Sequence, residues 1–544
     1  MIAKRESVTP APHHLSESAS RIGRNIAIVG LLSIASRVIG LLREIIIARQ
    51  FGTSGEYDAY LTAFRIPDLL FLLVITASFG SAFIPVFRGL LDRDEEKAWR
   101  LASAVITWTA LITVVASVIT FIFAEPIVKY FIGSGLPPDM QVISAKMMRI
   151  LLLSPILLGM GIAAKGILET HNRFTLPALA PLMYNAGIIF GAVMLSPHYG
   201  VTGLAVGVVI GAALYFVIEA PGLKRVGMRF KPTLNREVEG LKSVAFGMAP
   251  RVVGQAAFQL NFLIVTILAQ RQGEGKVSAL NYAFAIMMLP NAVLGQSFAT
   301  VLFPTMTAQF ERGDVDGLRK TLSSGLRPLL FLVLPASVGL FAFRVPIVQI
   351  VFQSGAFSST STMLVVQPLA IFALALVFYS LVEILARTFY AMRNTRIPVG
   401  AGIFITVINI ILAIVITPHV GYSGLALSLS LSTAIEALIL IVALSWKMGR
   451  FDAEFGAWFA RVVLATAIMG CGALLLSNYL IDRMNAGNMN RLVSMFFMGY
   501  AMMLAAGIYF TAAFALRLEE TGLWLTMARR MLMKIVGRTP FARG

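Results

Sequence analysis

Apolar segments long enough to cross a membrane follow one another along almost the whole chain. We place them at 25–48, 57–90, 98–123, 141–167, 176–195, 200–221, 238–270, 277–304, 317–343, 358–391, 397–417, 421–446, 456–480 and 491–516. Each is near or above the ~20 residues that a helix needs to cross the hydrocarbon core. Backbone polar groups cannot stay unpaired in lipid, and these segments are too long for barrel strands. The chain is therefore predicted to be an all-α polytopic membrane protein with about fourteen transmembrane helices.

The composition excludes several other classes of protein. Of the 544 residues, 58% are hydrophobic and only 13% are charged, and the mean hydropathy is +0.81. A soluble protein has roughly 25% charged residues, so a large soluble enzyme, a disordered protein and a disulfide scaffold are all excluded. The single cysteine, Cys471, lies in an apolar segment and offers no metal cluster. We find no signal peptide for removal, no nucleotide-binding or nucleophile motif, and no sign of a metal or cofactor.

The basic residues predict the orientation of the chain. The formal net charge is +18, which in a soluble protein would suggest a nucleic acid partner. Here, one set of alternate connections holds about six Lys or Arg, whereas the opposite set and the two tails hold about thirty. Cytoplasmic loops of membrane proteins carry this excess. We therefore expect both termini in the cytoplasm, and no nucleic acid partner.

The chain contains an internal repeat with an offset of about 220 residues. Three pairs match in the same order: SFGSAFIPVF (78–87) with SFATVLFPTM (297–306), HNRFTLP ending at Pro177 with RNTRIP ending at Pro398, and SPHYGVTGLA (196–205) with TPHVGYSGLA (417–426). One match would be weak, but three at nearly one offset indicate a duplication. The repeated unit holds about six predicted helices, and an even number gives both copies the same orientation, as in parallel-repeat transporters.

The repeat predicts how the chain is divided. We expect a disordered cytoplasmic tail at 1–24, a six-helix lobe at 25–222, a second six-helix lobe at 223–446, two further helices at 447–516 and a basic cytoplasmic tail at 517–544. Two facing lobes suit alternating access around a central cavity.

Charged residues inside the predicted spans are the candidates for a functional site, because an ionisable group in the bilayer is costly. We single out Arg37, Arg43, Glu44, Asp58, Arg65 and Arg251. They could be salt bridges between helices or side chains that reach the interface. Alternatively, they line a hydrated cavity for an anion, since guanidinium groups present fixed, bidentate donors to phosphates. Cations exceed anions in this set, which favours an anionic ligand.

The residues around the first two spans resemble those of a known family. The stretch SRVIGLLREIIIARQFG, followed by DAYLTAFRIPDLL and SAFIPVF, is similar to the MviN/MurJ family of lipid II flippases, in the multidrug/oligosaccharidyl-lipid/polysaccharide exporter superfamily. The resemblance continues through ILETHNRFTLPALAPLMYN, FPTMTAQF, FYAMRNTRIPV and GYSGLALSLS, and covers essentially the whole chain after the tail.

The resemblance implies a function and a set of site residues. The family moves undecaprenyl-pyrophosphate-linked disaccharide-pentapeptide (lipid II) from the inner to the outer leaflet for peptidoglycan synthesis, and its members are not enzymes. It implies two lobes in a V in the bacterial inner membrane, with two more helices whose groove holds the lipid tail. Its functional positions match Arg37, Arg43 and Asp58 here, and its neighbouring acidic and basic positions match Glu44 and Arg65.

The chain departs from the family pattern at four positions. Phe71 stands where a third cavity arginine is expected, Thr76 replaces an acidic residue, and Ala285 and Met288 replace charged residues of the eighth helix. Arg251 is our candidate for restoring part of the lost positive charge. The departures leave the identity of the lipid-linked substrate and of a coupling ion open.

Three alternatives follow from these departures and from the fold class. The chain could flip another polyprenyl-linked glycan, such as an exopolysaccharide unit. A drug–cation antiporter of the same superfamily would need acidic cavity groups, whereas the candidate cavity here is cationic. A membrane glycosyltransferase with polyprenyl donors would normally carry sizeable outer loops, and every predicted outer connection is short.

Overall fold

The computed structural model of the chain describes residues 14–72, 83–449, 454–485 and 490–522. Every regular element in these ranges is helical, which confirms the all-α prediction. Eleven of the described helical segments are long and apolar enough to cross a membrane. The count of fourteen spans stays a prediction.

The long described helices lie within the apolar segments identified in the sequence or overlap them, whereas the short helices at 124–127, 196–199 and 344–352 lie between those segments. In chain order they are α1 (His14–Phe51), α2 (Gly55–Phe71), α3 (Phe83–Leu91), α4 (Glu95–Ile122), α5 (Ala124–Ile127), α6 (Pro138–Leu151), α7 (Leu153–Thr170), α8 (Thr175–Phe190), α9 (Ser196–Tyr199), α10 (Val201–Arg225), α11 (Leu241–Gln270), α12 (Lys276–Val293), α13 (Gly295–Glu311), α14 (Val315–Ala342), α15 (Arg344–Phe352), α16 (Ser359–Ala391), α17 (Arg396–Val420), α18 (Ser423–Met448), α19 (Glu454–Asn485) and α20 (Arg491–Ala515). Two π-helical turns, Val128–Ile132 and Gly191–Leu195, follow α5 and α8.

The first helix corrects one prediction. Residues 14–24 belong to α1, although the sequence predicted a disordered tail over 1–24. The apolar part of the helix is long, and a formed helix extends into flanking polar residues at little cost because nucleation has already occurred. Residues 1–13 lie outside the described part of the chain.

Several helices begin at residues that suit a helix start. Asp94, Asp314 and Asn490 each precede a helix, and each side chain accepts a hydrogen bond from a backbone N–H in the first turn, at 3.1, 2.7 and 2.9 Å. Such caps satisfy donors that the helix itself leaves unpaired. Local sequence therefore sets where these helices start.

The described residues form two compact units. The first contains residues 14–47, 63–72, 83–125 and 143–253, and the second contains 48–62, 126–142 and the described residues from 254 onwards. The turn between α1 and α2 thus belongs to the second unit, and so do α19 and α20. The lobe boundaries predicted from the repeat stay a prediction.

The repeated turn has a clear conformational requirement. Gly200 and Gly421 occupy the same place in the two copies and have φ angles of +56° and +72°. L-residues with a side chain rarely adopt this backbone region, whereas glycine does so freely. The histidines ahead of them, His198 and His419, are exposed, and no cluster of three or more metal-ligating residues occurs in the described ranges. The turn motif is thus explained by backbone geometry.

Within the first unit, α8 and α10 approach each other through glycines. A methyl group added to Gly187 would lie 2.3 Å from Cα of Gly211, and one added to Gly191 would lie 2.4 Å from Cα of Gly207. Close helix approach through small residues is typical of membrane proteins, where van der Waals packing drives helix association.

This packing predicts opposite effects for two glycine-to-alanine changes. Gly187→Ala should destabilise the protein by about 1–3 kcal/mol because the added methyl group collides with backbone. Gly507→Ala is the matched control: Gly507 lies in helix α20 with no atom within 4 Å of the added group, so it should be neutral or stabilise by about 0.5–1 kcal/mol. Thermal midpoints of the purified variants in detergent would test this, and equal midpoints would contradict the close approach.

In the second unit, α19 and α20 pack on α14. The hydroxyl of Tyr509 donates to the carbonyl of Phe331 at 2.6 Å, and their rings lie 5.1 Å apart. Trp458 donates its indole N–H to Glu520 at 3.0 Å. These two hydrogen bonds give the buried phenol and indole groups partners, as stable burial requires.

Candidate functional site

Arg43 is the best-positioned cation among the candidates. It lies half-buried on α1, and its Nη2 is 2.5 Å from Oε1 of Glu44. Its Nη1 donates to Oδ1 of Asn185 on α8 at 2.9 Å, and Asn185 in turn donates to the carbonyl of Pro181 at 3.0 Å. The guanidinium is therefore held by partners on two helices of the first unit. A fixed guanidinium is suited to binding an oxyanion, because little ordering entropy remains to be lost.

Arg37 and Arg65 lie in the same unit. Arg37 is exposed on α1 and Arg65 is half-buried on α2. The first unit thus carries five of the six candidates, namely Arg37, Arg43, Glu44, Arg65 and Arg251.

Phe71 has an apolar environment that explains the absence of an arginine there. It packs against a buried cluster formed by Leu158, Ala180, Ala212 and Tyr215. A guanidinium in such surroundings would lose its hydration without a compensating partner. At this position the first unit therefore has an apolar packing contact in place of a cation.

Asp58 is buried in a hydrogen-bonded contact with the start of another helix. It is 1% exposed, and its two carboxylate oxygens accept hydrogen bonds from the backbone N–H groups of Gly275 and Ser278, both at 2.7 Å. These groups stand at the start of α12, where N–H groups are unpaired and the helix dipole favours negative charge. Asp58 is therefore a helix cap in the second unit, and its predicted substrate contact stays a prediction.

The whole turn around Asp58 is docked into the second unit, which the sequence did not reveal. The carbonyl of Arg49 accepts from Ala356 N–H at 2.8 Å, Gly55 N–H donates to Glu274 at 2.6 Å, and Gln270 donates to Thr62 at 2.7 Å. The partners are more than 200 residues apart in sequence. The glycines are the local feature of the sequence that fits these tight turns, because Gly52 and Gly355 have positive φ angles.

Four predicted positions remain, and the structure describes the side chains of two of them. Arg251 lies within α11, but its side chain is not among the described parts of the chain. Thr76 lies wholly outside the described residues. Ala285 and Met288 are half-buried on α12.

The second unit contains a cavity with a mostly apolar wall and a cluster of polar side chains, which we name the polar cavity. Its volume is about 300 Å³, and its polar lining comprises Asn261, Tyr379, Tyr390, Thr406, Asn409, Ser432, Thr433 and Glu436. Asn409 donates to Asn261, and Ser432 donates to Asn409 at 3.5 Å. Glu436 is the only carboxylate of this lining, which contains neither Lys nor Arg. No pattern in the sequence indicated this cavity.

An apolar groove lies elsewhere in the second unit, where α12, α14, α19 and α20 meet. It encloses about 540 Å³ and is lined by residues that include Leu289, Leu332, Leu340, Met469, Met502 and Phe510. Such a lining suits a hydrocarbon chain, because burial of apolar surface needs no directional partner.

A match over most of the sequence shows which family the chain belongs to. Residues 47–512 match the family model described as "Lipid II flippase MurJ". The chain belongs to the MurJ family of lipid II flippases. A relative from Burkholderia cenocepacia, named lipid II flippase MurJ, is 32% identical over 90% of this chain and 96% of its own.

Solved structures agree with this membership. A structure described as lipid II flippase MurJ in an inward closed conformation matches with a TM-score of 0.75 and 25% identity, over 89% of this chain and 99% of that one. An inward-facing multidrug resistance transporter of the MATE family matches with a TM-score of 0.64, over 78% of this chain and 98% of that one. At 15% identity, this second match shows a shared fold only.

Membership of the MurJ family confirms the predicted resemblance and its broad consequences. The family consists of membrane transporters and not of enzymes, so the glycosyltransferase alternative is set aside. With its many apolar helices, the chain is a multi-pass protein of the bacterial cytoplasmic membrane.

Proposed function

We propose that this chain is a lipid II flippase that moves undecaprenyl-pyrophosphate-linked disaccharide-pentapeptide from the inner to the outer leaflet by alternating access. Its family and the name of its Burkholderia relative support this function. The structural observation that carries it is Arg43, whose half-buried guanidinium is fixed by Glu44 and Asn185 within the first unit.

The pyrophosphate is the part of the substrate that Arg43 would bind. Taking a diphosphate out of water is costly, and charge-assisted hydrogen bonds from a fixed guanidinium offset part of this cost. Arg37 and Arg65, in the same unit, would add positive charge, and Arg251 is proposed to contribute more. Glu44 would then orient Arg43 without itself contacting the anion, since two like charges repel.

The polyprenyl tail would occupy the apolar groove. The groove is formed in part by α19 and α20, the two helices beyond the repeat. A tail placed there stays in an apolar environment while the head group crosses, so the transfer cost falls only on the polar part of the substrate. Both termini would be cytoplasmic, as the distribution of Lys and Arg predicts.

The polar cavity is our candidate for the site of a coupling ion. A single carboxylate among amide and hydroxyl oxygens suits one small monovalent cation or a proton, because a divalent ion would need more negative ligands. Intramembrane carboxylates often mark such pathways. Entry of a cation would then supply the free energy for a step of the transport cycle.

Glu436→Gln is expected to slow flipping roughly tenfold, because it removes the only formal charge that offsets a cation in the cavity, about 1.4 kcal/mol of stabilisation. Glu383→Gln is the matched control, since Glu383 is half-buried on α16 but does not line the cavity. Flipping rates in vesicles with and without an imposed ion gradient would be compared. An unchanged rate for Glu436→Gln would remove the cavity from the mechanism.

A flippase for another polyprenyl-linked glycan is the second candidate. Phe71 favours it, because this apolar residue stands at a position where the family carries a cation. Depletion of the protein in its host, followed by identification of the lipid-linked precursor that accumulates, separates the two. Lipid II accumulation supports our proposal, and accumulation of a different glycan with normal lipid II supports the alternative.

A further inference from the structure

The segment between α10 and α11 (Gly227–Gly240), which we name the strap, is fixed along helix α4 of the first unit. The backbone N–H groups of Lys231 and Thr233 donate to the hydroxyls of Ser103 and Thr107 at 3.1 and 3.3 Å. An ion pair of 2.9 Å joins Glu239 to Lys97 at the far end of the strap. The strap therefore has a defined course, although it contains no regular secondary structure before its final turns.

Helix α4 shows the depth at which the strap lies. Large apolar side chains on α4 become exposed from Leu111 onwards, and the exposed set continues to the end of the helix, as expected for a surface in contact with lipid. The strap contacts α4 one to two turns before that point. There the guanidinium of Arg236 lies 5.4 Å from the ring centroid of Trp108. Tryptophan is enriched at the membrane–water interface, so the strap lies at the level of the lipid head groups.

The outer surface of the strap combines cations with apolar side chains. Arg229, Lys231 and Arg236 are exposed. Phe230 and Leu234 are 47% and 52% exposed, although water around them is unfavourable. Glu239 is paired with Lys97 and Glu237 is the remaining acid, so positive charge predominates.

We propose that the strap is an interfacial element that binds anionic phospholipid in the leaflet facing the predicted cytoplasmic side. Phe230 and Leu234 enter the boundary between head groups and acyl chains, while Arg229, Lys231 and Arg236 bind the phosphates. Peripheral membrane segments with this pattern bind through buried apolar area together with attraction to anionic lipids. A soluble acidic partner would match the cations but would leave the two apolar side chains in water. This lipid contact is separate from transport of lipid II.

Native mass spectrometry of the full-length protein, titrated with phosphatidylglycerol or phosphatidylcholine in detergent, tests the proposal. The strap variant is Arg229→Gln/Lys231→Gln/Arg236→Gln, and the control is Arg93→Gln/Arg312→Gln/Lys320→Gln, which removes three exposed cations elsewhere on the predicted cytoplasmic side. The strap variant should lose roughly fivefold in phosphatidylglycerol affinity per cation and keep its phosphatidylcholine binding. Equal loss in both variants, or no loss in either, would overturn the proposal.

A second measurement does not depend on the charge variants folding. Leu234→Cys in a Cys471→Ser background, labelled with a polarity-sensitive dye, should show blue-shifted emission in phosphatidylglycerol nanodiscs and quenching by lipids spin-labelled near the head group. Emission typical of water, without quenching, would contradict insertion. Binding of fluorescent polyglutamate that persists in these nanodiscs and is lost in the strap variant would identify an acidic protein surface as the occupant, and would also overturn the proposal.

Discussion

Replacing Arg43 by glutamate is expected to abolish growth of a flippase-depleted strain that depends on this chain, while the protein still inserts. The change removes the guanidinium that Glu44 and Asn185 hold and places a second carboxylate beside Glu44. Losing a fixed charge-assisted contact to a desolvated anion costs about 3 kcal/mol, so the flipping rate should fall by roughly 100-fold or more.

Two controls distinguish the loss of the Arg43 guanidinium from a general effect of the charge change on folding. Arg43→Lys keeps the charge but not the planar fork, and should retain partial activity. Arg100→Glu makes the same charge change in an exposed ion pair with Glu96. Exposed ion pairs contribute little to stability, so the strain that carries this variant should grow normally. Normal growth of the Arg43→Glu strain at equal protein level would remove Arg43 from the site.

Replacing Asp58 by alanine is expected to cost about 2–4 kcal/mol of stability, because two buried backbone N–H groups at the start of α12 lose their acceptors. Hydrogen exchange in the first two turns of α12, at 276–282, should accelerate, and the thermal midpoint should fall. Asp58→Asn keeps one acceptor oxygen and should lie between the parent and the alanine variant.

Asp92→Ala is the control for the cap, since Asp92 is exposed in an ion pair with Arg88. Its loss should leave the thermal midpoint unchanged within experimental error. The experiment also distinguishes the cap from the substrate contact that the sequence predicted. If Asp58→Ala abolished transport with no change in the midpoint or in exchange, Asp58 would contact substrate and the capping role would be wrong.

The sequence predicted what depends on local pattern. Hydropathy and length are local properties, so the long helices lie where the apolar segments predicted them. The helix starts at Asp94 and Asp314 follow from side chains within three residues of the donors they cap. The adjacency of Arg43 and Glu44 was also readable, because neighbours in sequence stay neighbours in the fold.

What the sequence left undetermined depends on contacts between distant residues. Asp58 pairs with N–H groups 217 and 220 residues away, and no periodicity encodes that pairing. Asn185, the second partner of Arg43, is 142 residues from it and looks like any other amide in an apolar helix. The cavity around Glu436 arises from several helices at once, so one polar residue in a span could not reveal it.

The exposure of lipid II on the outer leaflet tests the central claim most directly. Spheroplasts of a flippase-depleted strain carrying this chain would be treated with an external enzyme that cleaves lipid II and cannot cross the membrane. We expect rapid cleavage of the lipid II pool with the parent chain and, with the Arg43→Glu variant, a rate roughly 100-fold slower. A pool that stays protected when the parent chain is present, or one cleaved equally fast with the variant, would contradict it.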